Sequence, residues 1–185
     1  MRKMIRAIGL GVLVLACLPA PASTVRQMNL EGLVQAADRI FMGRCLESRS
    51  ERDAALGLDV TVVTMEVIQP FRGTLSRTVT FKLAEASPFH PGEETIVFLH
   101  ADSRSGLTSP VALGQGKFGV FRDKSGRSWA INDLGNQGLF RALTPDAESR
   151  LGERGRRWRE ERAIPVDELM TMVRALLPAE NRKGR

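Results

Sequence analysis

Two histidines, two cysteines and the adjacent glutamates Glu93 and Glu94 are the first side chains to weigh for acid–base, nucleophilic or metal chemistry in this sequence. A nucleophilic triad needs a nucleophile, a base within hydrogen-bond reach and a third group that orients the base. His90 lies in Phe89-His90-Pro91-Gly92, a turn by composition, and His100 closes an apolar run where a structural role is expected. No third imidazole or cysteine cluster accompanies them, so a metal site is not expected. Glu93 and Glu94 are neighbours at the start of a strand, which sends their carboxylates to opposite faces and not to a shared proton. Gly114-Gln115-Gly116-Lys117 has glycines like those of a phosphate loop. That loop also requires a glycine five positions before its Gly-Lys pair and Ser or Thr after it, and here Val111 and Phe118 stand there. Cys45 falls in an apolar strand and is expected to be a buried, inert thiol. The residues therefore predict no catalytic set, no cofactor site and no metal site, and the expectation is a non-enzymatic protein.

Cys17 belongs to a different chemistry, that of export. Arg2, Lys3 and Arg6 form a cationic start, Ala7 to Leu18 is an uninterrupted apolar run, and Ala20-Pro21-Ala22 supplies the small residues that a signal peptidase accepts. The run is shorter than the roughly 20 apolar residues that span a bilayer. Residues 1–22 thus read as a signal peptide, and the mature chain starts at Ser23. Val14-Leu15-Ala16-Cys17 also resembles the lipobox of bacterial lipoproteins, so acylation of Cys17 is the alternative processing route. Either route leaves Cys45 without a partner for a disulfide, although an exported compartment would permit one. The chain is expected to be periplasmic or secreted, or lipid-anchored to the envelope if Cys17 is modified.

Charge narrows the partners. The formal charge is +6, but three of the cations lie in the leader, and residues 150–185 hold ten basic against six acidic groups. The body in front of that tail is nearly neutral, which argues against nucleic acid. A protein or other envelope component is the expected partner, with contact to a membrane only through a lipidated Cys17.

The elements that position these residues follow from periodicity. Asn29 can cap a short helix whose Leu30, Leu33, Val34 and Ala37 share one face. Strands are expected over about 39–48, 59–71 and 77–84, and over 94–100, where Ile96, Val97, Phe98 and Leu99 require cover on both faces. Gly43 signals a bulge or a close backbone approach, Val62 a second irregularity, and Pro70 a strand end or an edge. Residues 47–57 read as a mobile connection. Residues 116–122 and 127–132 form a hairpin through Asp123-Lys124-Ser125-Gly126. The loops after Ser48, around 103–110 and around 132–138 are the expected contact surface. From 146 to 163 the apolar pattern gives way to arginines, which reads as a solvated linker or frayed helix; a strip for anionic lipid headgroups with Trp158 at the interface is the alternative. A final helix spans 164–178, with a stripe of Val166, Leu169, Met170, Val173 and Leu177, and residues 179–185 are a loose tail.

The ordered segments "AADRIFMGRCLESRS", "VVTMEVIQPFRG", "TVTFKL", "FHPGEETIVFL", "LGQGKFGVFRD" and "IPVDELMTMVRALL" resemble a group of uncharacterised exported bacterial proteins. The strand pattern also resembles the OB-type barrel of tissue inhibitors of metalloproteinases and netrin modules. What this implies is a mainly β, α+β chain: a small OB-like antiparallel barrel over 23–145, with a short N-terminal helix, an Arg-rich linker over 146–163 and the C-terminal helix. Those inhibitors act through a free amino-terminal cysteine, and neither Ser23 nor an acylated Cys17 supplies one, so that mechanism does not carry over. The function expected is a non-enzymatic exported binding module; the alternative is a protease inhibitor or protease-associated accessory protein that makes contact in another way.

Overall fold

The computed structural model describes residues 27–73, 76–84 and 86–178. The leader with Cys17, and the tail 179–185, lie outside the described residues. Asn29 caps helix α1 (Leu30–Ala36) by accepting from the Gly32 N–H at 2.8 Å. Leu30, Leu33, Val34 and Ala37 are all buried, as their spacing requires. The open carbonyls at the other end meet Arg72, whose guanidinium donates to Val34 O and Ala37 O at 2.8 Å each.

Strands β1 (Arg39–Asp53) and β2 (Leu58–Arg72) form a long antiparallel hairpin. Residues 47–57 are therefore not a mobile connection, because β1 runs on to Asp53 and only 54–57 turn. The polar composition that suggests a loop comes from a solvated ribbon laced by ion pairs, with Lys82 on Asp53 at 2.7 Å and Arg52 near Asp59 at 3.3 Å. The hairpin is bent by register shifts next to Phe41, Gly43 and Cys45. At Gly43 a side chain is excluded: a Cβ would stand 2.6 Å from Glu66 O and 3.2 Å from the Phe41 ring. Pro70 sits inside β2 opposite Phe41, beyond the stretch of β2 that pairs with the next strand, so its missing N–H faces an open edge.

Strands β3 (Thr78–Leu83), β4 (Glu94–Leu99), β5 (Leu107–Thr108), β6 (Lys117–Arg122), β7 (Ser128–Asn132) and β8 (Ile164–Pro165) complete one sheet in the order β5-β3-β2-β1-β4-β6-β7-β8. All neighbours are antiparallel except β3 and β5, whose parallel pairing arises because the chain crosses from the centre of the sheet to its edge after β4. The sheet is thus mixed and its end strands are not joined. The class is α+β and mainly β, and these pairings do not close a barrel.

Both faces of the sheet are covered. One bears the larger core, where Ile40, Ile96, Phe98, Phe118 and Ala130 meet α1 and two later helices. The other holds a smaller core of Phe41, Cys45, Val63, Met65, Phe81, Leu83, Val97 and Leu99, closed by Phe89 standing edge-on to Phe81. β4 contributes alternate residues to the two cores, which explains its unbroken apolar run.

Helix α2 (Pro145–Arg157) occupies most of the stretch read as a linker. Its apolar pattern is obscured because the helix kinks at Gly152 (φ 55°, ψ −133°), which resets the buried face midway. Ala147, Leu151 and Trp158 enter the larger core. Trp158 is 7% exposed and edge-on to Trp129 at 6.4 Å, so it is not placed at a lipid interface. Several of the arginines find acids instead, Arg150 with Asp146 at 2.8 Å, Arg154 with Glu168 at 3.2 Å and Arg159 with Glu148 at 3.4 Å, while Arg157 lies over the Trp158 ring at 4.9 Å. Thr144 caps α2 and is itself held by Glu31 of α1 through its N–H and hydroxyl at 2.9 and 2.8 Å. Helix α3 (Val166–Leu176) follows, with Leu169, Met170, Met172, Val173 and Leu176 buried. Among the described residues no helix is long and apolar enough to cross a membrane.

Replacing Leu151 separates a core helix from a linker. Leu151→Ala is expected to lower unfolding free energy in urea by about 2–4 kcal/mol, the range for buried leucines, whereas a solvated linker position shifts by about 0.5 or less.

Candidate functional site

Two short motifs from distant parts of the chain meet on the smaller-core face. The turn before β4 brings Glu93 to Lys117, the first residue of β6, with Oε1 and Nζ 2.7 Å apart. The lysine side chain is 11% exposed and lies over the Phe89 ring, 5.6 Å from its centroid. Glu93 is held in turn: its Oε2 accepts the His90 N–H at 3.2 Å and its carbonyl accepts the Cys45 N–H at 2.9 Å. The Cys45 thiol lies in this neighbourhood. Burial pushes its pKa up and Glu93 adds to that, against smaller opposing effects of the Glu47 carbonyl and Lys117. A thiol held above its ordinary value is a weak nucleophile at neutral pH. Beside it, Thr95 stands between Gly43 and Gly119 on the flanking strands, fully buried, with no hydrogen-bond partner for its hydroxyl. The arrangement locks the β4 turn to β6, with every charged atom engaged.

A second polar cluster orders the loop over 132–138. Asn136, in a left-handed conformation (φ 59°), accepts the Asn132 N–H at 3.0 Å and donates to Ala130 O at 3.0 Å. Asn132 Oδ1 accepts the N–H groups of Leu134 and Asn136, and its amide donates to Gln115 O at 3.2 Å. Gln115 in turn accepts the Met28 N–H at 2.8 Å. A buried amide network satisfied in this way fixes a loop, and the sequence gives no periodic signal for it. Of the other loops expected to make contact, the one after Ser48 is the β1–β2 hairpin. The stretch 103–110 is tied down by Thr108, whose hydroxyl donates to His100 O at 2.7 Å.

A different chemistry appears on the helix-covered face. Between α3 and the sheet runs a groove of about 580 Å³ with Met42, Val166 and Met170 along it, and Arg127 and Arg174 at its sides. Arg127 lies over Trp129, 5.1 Å from the ring centroid, and Arg174 over Phe71 at 5.0 Å. Trp129 is fixed by donating to Asp123 Oδ2 at 2.8 Å. The Asp123 carboxyl, drawn down to about 2 by hydrogen bonds from Ser125 first and Trp129 next, stays ionised to anchor that turn. Neither Arg127 nor Arg174 has a carboxylate partner among the described residues. Asp167 also lines the groove, in the first turn of α3 where it complements the helix dipole. A larger hollow at the α2 kink, about 870 Å³, is also rich in arginine, but Arg150 and Arg154 there are already paired with acids.

The structure does not bring His90 and His100 into one constellation. His90 is exposed on its turn, and His100 is half-buried beyond β4 with its N–H on Ser109 O at 3.1 Å. Among the described residues no three His, Cys, Asp or Glu side chains are grouped to hold a metal. Cys17 lies outside the described residues. The groove escapes sequence reading because its parts come from β1, β2, the β6–β7 hairpin and α3, where Arg174 reads only as a helix-end cation. In comparisons with known proteins, the chain matches no family model, no curated protein and no solved structure.

The Glu93–Lys117 pair gives a double-mutant prediction. Lys117→Met alone is expected to cost about 2–3 kcal/mol in urea unfolding, below the roughly 3–5 of fully buried pairs because Glu93 keeps a quarter of its side chain in water. Glu93→Leu combined with Lys117→Met should return to within about 1 kcal/mol of the parent. Simple addition of the two single losses would show that the pair is not coupled.

Proposed function

We propose that the chain is a non-enzymatic binding module, exported by its leader and working in the periplasm, the envelope or the surrounding medium. The observation that supports binding is the groove beside α3. Arginines normally lie against carboxylates or in bulk water. Here two lie over aromatic rings at the sides of a groove floored by Met42, Val166 and Met170, and neither forms an ion pair among the described residues, even with Asp167 at the groove, an arrangement that suits recognition better than stability. Export rests on the tripartite leader. The reading includes an OB-like barrel in which β1 to β4 coil about the smaller core, with the bulges of the β1–β2 hairpin supplying the curvature. It agrees with the resemblance to uncharacterised exported bacterial proteins.

The test is to produce the full chain with its own leader in a bacterial host and recover it from envelope and medium. An intact mass matching Ser23–Arg185, together with a stoichiometric adduct in native mass spectrometry, is the expected result. An acylated chain starting at Cys17 would move the module onto a membrane anchor. Uncleaved Met1–Arg185 in the cytoplasm would contradict export. Turnover of ester, peptide or glycoside substrates that disappears with His90→Ala or His100→Ala would contradict a non-enzymatic role.

A further inference from the structure

Resting on that binding reading, we infer that the groove beside α3 is a site for an amphipathic carboxylate, a small molecule with one anionic head and an apolar chain. The head is assigned by charge. Arg127 and Arg174 are the two cations lining the groove, each pre-oriented on a ring (Trp129 and Phe71), and the single acid there, Asp167, leaves a net positive lining. A planar guanidinium offers paired donors whose geometry matches a carboxylate, and stacking on an aromatic face removes much of the ordering cost before the ligand arrives.

The apolar chain is assigned by the floor. Met42 is half-buried, and Val166 and Met170 are each 7% exposed, so they present the outer layer of the larger core to the groove. Methionine thioethers adjust to chains of differing shape, which suits a flexible acyl or alkyl group. Ser128 and Gln69 add neutral polar groups at the margin. At about 580 Å³ the groove falls within the roughly 300–1,000 Å³ usual for small-molecule sites. In the α2 hollow, Arg150 and Arg154 are already on Asp146 and Glu168 and Arg156 is near Glu153, which leaves Arg157, over Trp158 at 4.9 Å, as a single unpaired guanidinium where the α3 groove has two.

Trp129 lies under Arg127, so occupancy is expected to change tryptophan fluorescence, with calorimetry as the independent readout. Decanoate is the probe, used below its micelle concentration, against decan-1-ol, decyltrimethylammonium and acetate. The mature protein should bind decanoate saturably at one site, with decan-1-ol weaker by about tenfold or more and no saturable binding of acetate or the cationic amphiphile. Arg127→Gln and Arg174→Gln, both at the surface and outside the core, should each weaken decanoate by about tenfold while leaving decan-1-ol and the melting temperature unchanged. Equal binding of decanoate and decan-1-ol would overturn the carboxylate assignment and leave a neutral binding groove. An apolar peptide with a free carboxyl terminus that binds more tightly than decanoate would overturn the small-molecule assignment. Absence of saturable decanoate binding would overturn the site itself, even where an envelope-derived adduct upholds the broader binding reading.

Discussion

Strand β4 and the first part of β1, the two central strands, bury both of their faces, and the rest of the molecule depends on that constraint. In β4, Ile96 and Phe98 enter the core beneath the helices while Val97 and Leu99 enter the smaller core on the other side. In β1, Ile40 and Phe41 divide in the same way. Since side chains alternate with a period of two, a slip of one residue would exchange the contents of the two cores. Register is therefore fixed from both sides at once. The devices that secure it are local: Gly43, where the bent β2 backbone passes too close for a side chain, and Glu93–Lys117, which ties the start of β4 to β6.

Once the sheet is fixed, the helices have little freedom. The buried face of α3 matches the strip presented by β7 and β8, and α1 is held at one end by Arg72 and at the other by its own Asn29. Helix α2 fills the remaining space with Leu151 and Trp158. The groove beside α3 is a consequence of this packing: the helix covers the sheet only in part, and Met42 and Met170 are left at its margin. The proposed binding groove and the scaffold's buried ion pair thus lie in different places. The ion pair of Glu93 and Lys117 is on the smaller-core face, and Arg127 and Arg174 are on the opposite face.

Much of the scaffold is legible in the sequence because single-element signals are strong there. Asn29 capping, the α3 stripe, the Asp123–Gly126 turn and the double-sided character of residues 94–99 all rest on spacing within one element. The parts that are not legible depend on contacts between elements. Polar residues 47–53 look like a loop until β2 places Asp59 beside Arg52 and β3 places Lys82 beside Asp53. The arginines of α2 look solvated because the kink at Gly152 divides its buried face and the matching acids lie up to eleven residues away or on α3. The mainly β, α+β class is legible in the strand spacing, whereas the parallel pairing of β3 with β5 and the joining of all strands into one eight-stranded mixed sheet depend on contacts between elements. Glu93 and Lys117 stand in motifs that are visible in the sequence, but only the fold makes them a pair, and the groove combines residues from four separate segments.

Native-state hydrogen exchange, resolved by residue and compared with the global unfolding free energy from urea, distinguishes one cooperative unit from two. If the two cores are one cooperative unit joined through shared strands, the amides of Phe41, Val97 and Phe98 and those of Val63 and Leu169 exchange only through global unfolding, at the same free energy. Exchange of the smaller-core amides at a distinctly lower free energy than those under the helices would show two cores opening independently, and would contradict the account.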